Sequence, residues 1–187
     1  MSRFDLTDLS RKVEQQDKGI PPLERWNPDF CGDIDIRIAR DGTWYHEGTP
    51  IGRKALVKLF SHILWRENDR YFLKTPVEKL AIQVDDLPFL FVELEVIDGD
   101  AGPELHFTSS TDDRVVADAE HPLVVTENAE TGEPRPSLAV RFGMAGRINR
   151  NLFYRLVELA QAEPCADGGE ELAVYSRGSR FSLGRLC

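Results

Sequence analysis

Ile51-x-Arg53-x-Ala55-Leu56-x-x-Leu59 and Ile148-x-Arg150-x-Leu152-Phe153-x-x-Leu156 carry the same residue classes at the same spacing, 97 positions apart. Each window places a basic residue where an amphipathic helix should begin, and free backbone N–H groups at a helix start already attract negative charge. Arg147 joins Arg150 at the second start, and Arg141 precedes it. Because the planar fork of arginine suits bidentate recognition of phosphate or carboxylate, the chemistry on offer is anion binding. Trp44 and Tyr154 supply rings able to stack on a base, and Thr75 and Glu78 complete the candidate ligand-binding set. The competing reading is structural. It leaves Arg53 solvated or paired with Glu47, pairs Arg147 and Arg150 with Asp33, Asp35 or Glu78, and buries Trp44 and Tyr154 in the core.

Other chemistries fit less well. Gly48-Thr49-Pro50-Ile51-Gly52-Arg53-Lys54-Ala55 invites comparison with a phosphate-binding P-loop. Its glycines are one residue too close, Arg53 intervenes before Lys54, Ala55 lacks the hydroxyl that would hold magnesium, and Pro50 removes a backbone donor. His46, His62, His106 and His121 show no H-x-x-x-H or H-E-x-x-H spacing, and neither C-x-x-C nor G-x-S-x-G occurs. Asp33-x-Asp35 could hold a divalent cation, but a polar strand edge explains it as well. The expectation is therefore a non-enzyme with no metal site and no cofactor.

At 187 residues the chain can bury a core as one compact domain or two small lobes. Its net charge of −9 is unevenly placed, since the stretch from Asp98 to Ser137 holds ten carboxylates against Arg114 and Arg135. Acidity with no basic stripe argues against a nucleic-acid partner, whose binding depends on phosphate neutralisation. No apolar run reaches the roughly 20 residues of a membrane helix, so no membrane partner is expected. The opening residues lack the apolar core of a signal peptide. Cys31, Cys165 and Cys187 are few and far apart, as reduced thiols would be, and cytoplasm is the default location.

The elements that would position the arginines follow from periodicity. Phe4 to Gln16 suits a short helix, and Ile34, Ile36 and Ile38 alternate with Asp33, Asp35 and Arg37 as a half-buried strand does. Asp41-Gly42 should turn that strand into Thr43 to Glu47. Gly52 to Trp65 predicts a helix of about four turns, broken by Glu67-Asn68-Asp69-Arg70. Strands are expected at 71–74, 80–84, 89–96, 105–109, 115–118, 123–126 and 138–142, with Leu90, Val92, Leu94 and Val96 sharing a core face. A second helix over 149–161 and a closing hairpin at 172–175 and 181–183 finish the chain. Antiparallel strands with two packed helices predict an α+β protein, organised as an N-terminal helical arm (1–25), an N-terminal lobe (26–78) and a β-rich C-terminal lobe with a helix (79–187).

Several blocks lie in a recognisable order: Cys31-Gly32-Asp33-Ile34-Asp35-Ile36-Arg37-Ile38, Asp41-Gly42-Thr43-Trp44, Thr49-Pro50-Ile51-Gly52-Arg53, Leu56-Val57-Lys58-Leu59-Phe60, Lys74-Thr75-Pro76-Val77-Glu78-Lys79, Asp86-Leu87-Pro88-Phe89 and His121-Pro122-Leu123. From about Trp26 to Leu183 the chain resembles the bacterial family called domain of unknown function 1285. The resemblance implies two lobes with a duplicated strand-turn-helix core, a C-terminal half superficially similar to a pleckstrin-homology fold, and a nucleotide-type ligand between the lobes in a signalling role. The expected function is a ligand-binding regulatory module that senses a nucleotide-type or other small anionic molecule at the interlobe cleft. A protein-interaction module with a pleckstrin-like partner surface and no small ligand is the alternative.

Overall fold

The computed structural model describes residues 6–14 and 19–186, which form two compact units. The first runs to Pro88 and takes in Phe142–Met144; the second comprises Phe89–Arg141 and the chain from Ala145 onward. The first helix, α1 (Leu6–Glu14), lies where the apolar spacing predicts one, although the expected ends at Phe4 and Gln16 fall outside the described residues.

The first unit contains β1 (Phe30–Ile38), β2 (Trp44–His46), β3 (Thr49–Pro50), α2 (Lys54–Ser61), β4 (Leu64–Glu67), β5 (Arg70–Lys74) and β6 (Lys79–Val84). Its six strands form one sheet in the order β3-β2-β1-β6-β5-β4, with β1 and β6 parallel and the other pairs antiparallel. The alternation in β1 does what it predicts: Ile34, Ile36 and Ile38 are buried. Leu64, Leu73 and Leu80 line up across β4, β5 and β6 and are likewise buried, so one face of the sheet is core. Two-residue turns close the hairpins at Glu47-Gly48 and Asn68-Asp69, all four residues having φ between 49° and 77°. That double left-handed geometry matches the twist of the flanking strands.

Two sequence expectations change here. The helix predicted over 52–65 stops at Ser61, because Leu64 to Glu67 finds backbone partners in β5 and a ladder satisfies those amides as well as a helix would. The lobe boundary expected after Glu78 lies at Pro88, because β6 pairs with both β1 and β5 and cannot leave the first sheet.

The second unit contains β7 (Phe89–Gly99), β8 (Gly102–Ser109), β9 (Arg114–Val116), β10 (Leu123–Glu127), β11 (Pro134–Arg141), β12 (Met144–Ile148), α3 (Arg150–Leu159), β13 (Gln161–Pro164), β14 (Glu170–Ser176) and β15 (Ser179–Leu186). One six-stranded sheet has the order β10-β11-β12-β7-β8-β9, with β7 and β12 parallel, and β13-β14-β15 form a separate antiparallel sheet. A register shift between Phe91 and Glu93 overturns the core face expected for β7. Because side chains alternate strictly, one extra residue flips the pattern: Phe89, Phe91 and Leu94 are buried while Val92 and Val96 are exposed. Gly146 on β12 lies against that core, where a Cβ would stand 2.5 Å from the Phe91 ring.

The architecture is mostly β, with mixed and antiparallel sheets and three α-helices among the described residues. The purely antiparallel α+β expectation gives way because each six-stranded sheet closes on one parallel pair. Both helices flagged by the matched windows follow a strand hairpin and precede an antiparallel meander. The order is β1-β2, α2, β4-β5-β6 in one unit and β11-β12, α3, β13-β14-β15 in the other, β3 being an extra edge in the first. No described helix is long and apolar enough to cross a membrane.

Candidate functional site

The arginines chosen from sequence meet different fates. Arg53 is the N-cap of α2, exposed, with no ion pair among the described residues. Arg150 begins α3 and reaches Glu133 at 3.5 Å, both side chains being well exposed. At that helix start the Asn149 side chain accepts the Leu152 N–H at 2.9 Å, which occupies one of the amides an anion would need. Arg147 donates to the Pro136 carbonyl at 3.1 Å. Arg141 is held at 2.6 Å from Asp113 and packs over the Phe89 ring at 4.7 Å. Asp113 also accepts the hydroxyls of Ser109 and Thr111. Burial pushes the Asp113 pKa up, but Arg141 and the two hydroxyls outweigh it and hold the carboxyl below its ordinary value. Arg141 is thus built into the second unit. Trp44 is 2% exposed and is core, not a stacking platform, whereas Tyr154 lies exposed on α3.

Thr75 and Glu78 lead to a more distinctive place. They bracket the turn between β5 and β6, where the buried Thr75 hydroxyl accepts the Glu78 N–H at 3.0 Å and the Thr75 N–H bonds the Glu78 carbonyl at 2.8 Å. Pro76 presets the turn's second position. Holding this turn fixes the register Lys74↔Lys79, Phe72↔Ala81 on one side and Trp65↔Phe72, Glu67↔Arg70 on the other. Residues directly opposite in an antiparallel ladder share a face, so Trp65, Glu67, Arg70, Phe72, Lys74 and Lys79 all stand on the face opposite the Leu64–Leu73–Leu80 core. Phe30, paired with Lys79 in the parallel ladder, joins them.

On this face each cation sits over a ring. The Lys74 ammonium is 3.8 Å from the Trp65 ring centre, Lys79 is 5.3 Å from Phe72, and Arg70 is 5.5 Å from Phe30 and 5.4 Å from Phe72. The Phe30 and Phe72 rings meet edge to face at 6.1 Å. Carboxylates answer these cations: Glu67 bonds Lys79 at 2.9 Å, Asp33 stands 3.5 Å from Arg70, and Glu67 and Glu24 both favour the charged form of Lys74. Lys74 is only 5% exposed, and its ammonium has no hydrogen bond or ion pair among the described residues. Burial first and the Lys79 charge second lower the Lys74 pKa from its ordinary 10.5. Glu67 is held below the usual carboxylate range by its hydrogen bond to Lys79.

A depression of about 170 Å³ opens on this face, lined by Phe30, Glu67, Asn68, Arg70, Phe72 and Lys79. An adjoining one of about 540 Å³ shares Arg70 but is lined by Asp33 and Asp35, which repel anions. The smaller depression is the candidate site. Sequence reading misses it because Glu67 to Arg70 has the composition of a helix breaker. The signal that finds it is the alternation Trp65-x-Glu67 and Arg70-x-Phe72-x-Lys74 on either side of Asn68-Asp69, a hairpin pattern.

Comparison with known proteins agrees with the division into two units. The N-terminal domain of the domain of unknown function DUF1285 matches residues 21–87, and the C-terminal domain of the DUF1285 protein of unknown function matches residues 88–183. No curated protein matches the chain. A crystal structure of a DUF1285 family protein from Silicibacter pomeroyi DSS-3 is 44% identical, with a TM-score of 0.89 over 99% of this chain and 97% of that one. Another, from Shewanella baltica OS155, is 28% identical, with a TM-score of 0.53 over 66% of this chain and 90% of that one. With both family domains matched in order and a relative at 44% identity along almost its whole length, this chain belongs to the DUF1285 family.

Proposed function

We propose that this protein is a ligand-binding regulatory module that takes a small anionic molecule on the Arg70–Lys79 face of its first unit. The observation that carries the reading is the packing there: three cations rest on aromatic rings on one face of the sheet, two of them, Arg70 and Lys79, lining the depression. A cation over a ring is held in place at about 0.5 to 2 kcal/mol without being neutralised, so it remains available to an incoming anion. Size selects the ligand class. Ligand pockets usually run from about 300 to 1,000 Å³, so a depression of about 170 Å³ suits a single carboxylate or phosphate group on a compact body. A nucleotide would seat only its phosphate or its ring there. The shared order of hairpin, helix and meander is read as a duplication in which only the first copy carries this cationic face, and signalling is the role that a sensor without catalytic machinery would fill.

Calorimetric titration of the full chain with inorganic phosphate, pyruvate, lactate and adenosine monophosphate tests the reading. At least one should bind with an affinity that falls as salt rises, since exposed charge is screened within about 8 Å at physiological ionic strength. Arg70→Met and Lys79→Met should each weaken binding about tenfold, the loss of one charge-assisted bond. Absence of binding by all four at millimolar concentration overturns it. The alternative, a protein-interaction module with a pleckstrin-like partner surface, draws on exposed Val92, Val96 and Ile97 of β7 and Tyr154, Val157 and Leu159 of α3.

A further inference from the structure

The outer face of the first sheet carries both signs of charge. Arg70 and Lys79 line the smaller depression together with Glu67, and Arg70 also lines the larger one, with Asp33 and Asp35. Two cations thus meet three carboxylates around adjoining hollows that share one guanidinium. A ligand that is only an anion gains from the first hollow and is repelled by the second, and one that is only a cation meets the reverse. A molecule carrying both charges gains from both, because its potential is complementary to the whole lining.

Geometry narrows the class. Asp33 and Asp35 alternate with buried Ile34 and Ile36 along β1, so both carboxylates stand on the outer face. Asp33 lies 3.5 Å from Arg70, with side chains 78% and 57% exposed, a pair of the kind that contributes little and opens readily. Opposite charges this close on the protein fit opposite charges close together on the ligand, as in an α-amino acid, whose carboxylate and ammonium hang from one carbon. Asp35 makes no ion pair among the described residues, so the ammonium has a second carboxylate within the same hollow. That hollow, at about 540 Å³, falls in the usual range for ligand pockets, about 300 to 1,000 Å³, and has room for the body of such a molecule. It lies where the β1–β6 ladder is interrupted: from Asp33↔Ala81 to Arg37↔Gln83, β1 advances four residues while β6 advances two. Irregular pairing of this kind re-aims side chains and is common beside functional sites. Ala81, the small residue between Asp33 and Phe72, contributes to the floor.

We propose that the ligand of this face is a free α-amino acid with an apolar side chain. Its carboxylate goes to Arg70 and Lys79, its ammonium goes to Asp33 and Asp35, and its side chain rests on the exposed Phe30 ring. The inference rests on the anion-binding reading above, whose two cations hold the carboxylate end, and it names the ligand class.

The test is calorimetric titration of the full chain with L-leucine and L-phenylalanine, each beside its deaminated acid (isocaproate, hydrocinnamate) and its decarboxylated amine (isoamylamine, phenethylamine). At least one amino acid should bind about tenfold or more tightly than both of its analogues, each of which lacks one charge-assisted bond. Asp33→Asn should weaken the amino acid about tenfold yet tighten its deaminated acid, because a repelling carboxylate is gone and Arg70 is released; a merely structural role would move both the same way. An amino acid that binds no tighter than its deaminated acid, or a variant that shifts the two in the same direction, overturns the proposal. Failure of both amino acids alongside salt-dependent binding of inorganic phosphate or lactate sinks the amino-acid reading and leaves the anion site standing; silence from all of them at millimolar concentration removes both. Should Asp33→Asn fail to fold, the comparison of acid, amine and amino acid in the parent protein decides the matter by itself.

Discussion

Glu104 and Asp118 share one guanidinium: Arg177 donates to Glu104 at 3.1 and 3.2 Å and to Asp118 at 3.2 Å. The pairing His106↔Val116 sets these two carboxylates opposite each other at the end of β8 and the extension of β9, where like charges would repel. Arg177 resolves that conflict from the turn between β14 and β15, in a left-handed backbone (φ 48°) fixed by its N–H bond to the Pro103 carbonyl. The outer flanks are covered by His106, 2.8 Å from Glu104, and His121, 3.2 Å from Asp118. Part of the acidic stretch that sequence reading treats as solvated hairpins is therefore a clasp within the second unit.

The clasp should make the second unit acid-sensitive. Hydrogen bonds from Arg177 and then His106 hold Glu104 below its ordinary 4.5. Burial pushes Asp118 up, but bonds from His121 and Glu120 outweigh it and leave it below its ordinary 3.8. Both folded pKa values are depressed, so the contribution is complete above the ordinary values and is lost as pH falls through the lower folded ones. Unfolding midpoints measured from pH 6 down to about pH 2 should fall steeply in the parent. In Arg177→Met they should start lower and fall less; identical slopes would mean that the clasp contributes nothing.

Lys74 predicts a dependence of the same sign, displaced to alkaline pH. Its folded pKa lies below 10.5, so the unfolded chain binds more protons in that window and stability rises with pH there. Lys74→Met keeps the buried stem and removes a desolvated charge together with its attraction to the Trp65 ring, Glu67 and Glu24, and because burial outweighs those attractions it should be neutral or stabilising at neutral pH. Chemical denaturation at neutral pH and near pH 10 should show the gap between the two proteins narrowing. A large loss in Lys74→Met at both values would make the contact with Trp65 a structural necessity.

At the turn between β2 and β3, Glu47 has a φ of 49° with no local side-chain hydrogen bond of the kind Asn can make. Asn-Gly is the preferred pair for such a turn, and Asn tolerates left-handed backbone better than Glu. Glu47→Asn should raise stability by about 0.5 kcal/mol, on the scale of compatible backbone substitutions. Thermal unfolding of the two proteins is sufficient to check it.

Core and surface should separate cleanly on α2. Phe60 is fully buried, and Phe60→Ala should cost about 3 to 5 kcal/mol. Arg53 is exposed and makes no ion pair among the described residues, so Arg53→Ala should stay within about 0.5 kcal/mol of the parent. A loss in the arginine variant comparable to that of the phenylalanine variant would show that the helix start is held by that side chain.

Much of the strand content was legible because it depends on local pattern. Alternation in Ile34, Ile36 and Ile38, the turn at Asp41-Gly42, and the closing hairpin near Arg177-Gly178 are properties of adjacent residues, and the structure has them at those places. The two matched windows likewise announced strand-then-helix twice, since apolar spacing of three and four needs no distant partner to be read. Sequence order alone was also enough to carry the family resemblance that the two matched domains bear out.

What tertiary structure decided were the features that depend on which strands meet. Whether Leu64 to Glu67 ends a helix or opens a strand turned on the presence of β5 to pair with it. Which residues of β7 face the core turned on a bulge opposite β8, and where the first unit ends turned on β6 reaching β1. The cationic face has the same origin. Phe30, Trp65, Arg70, Lys74 and Lys79 come from four strands and are gathered only by ladder register, a long-range property that residue spacing does not encode. Arginine content suggested anion binding, but it was pairing and burial that committed Arg141 and Arg147 to internal bonds and set a lysine, Lys74, as a buried cation against the Trp65 ring.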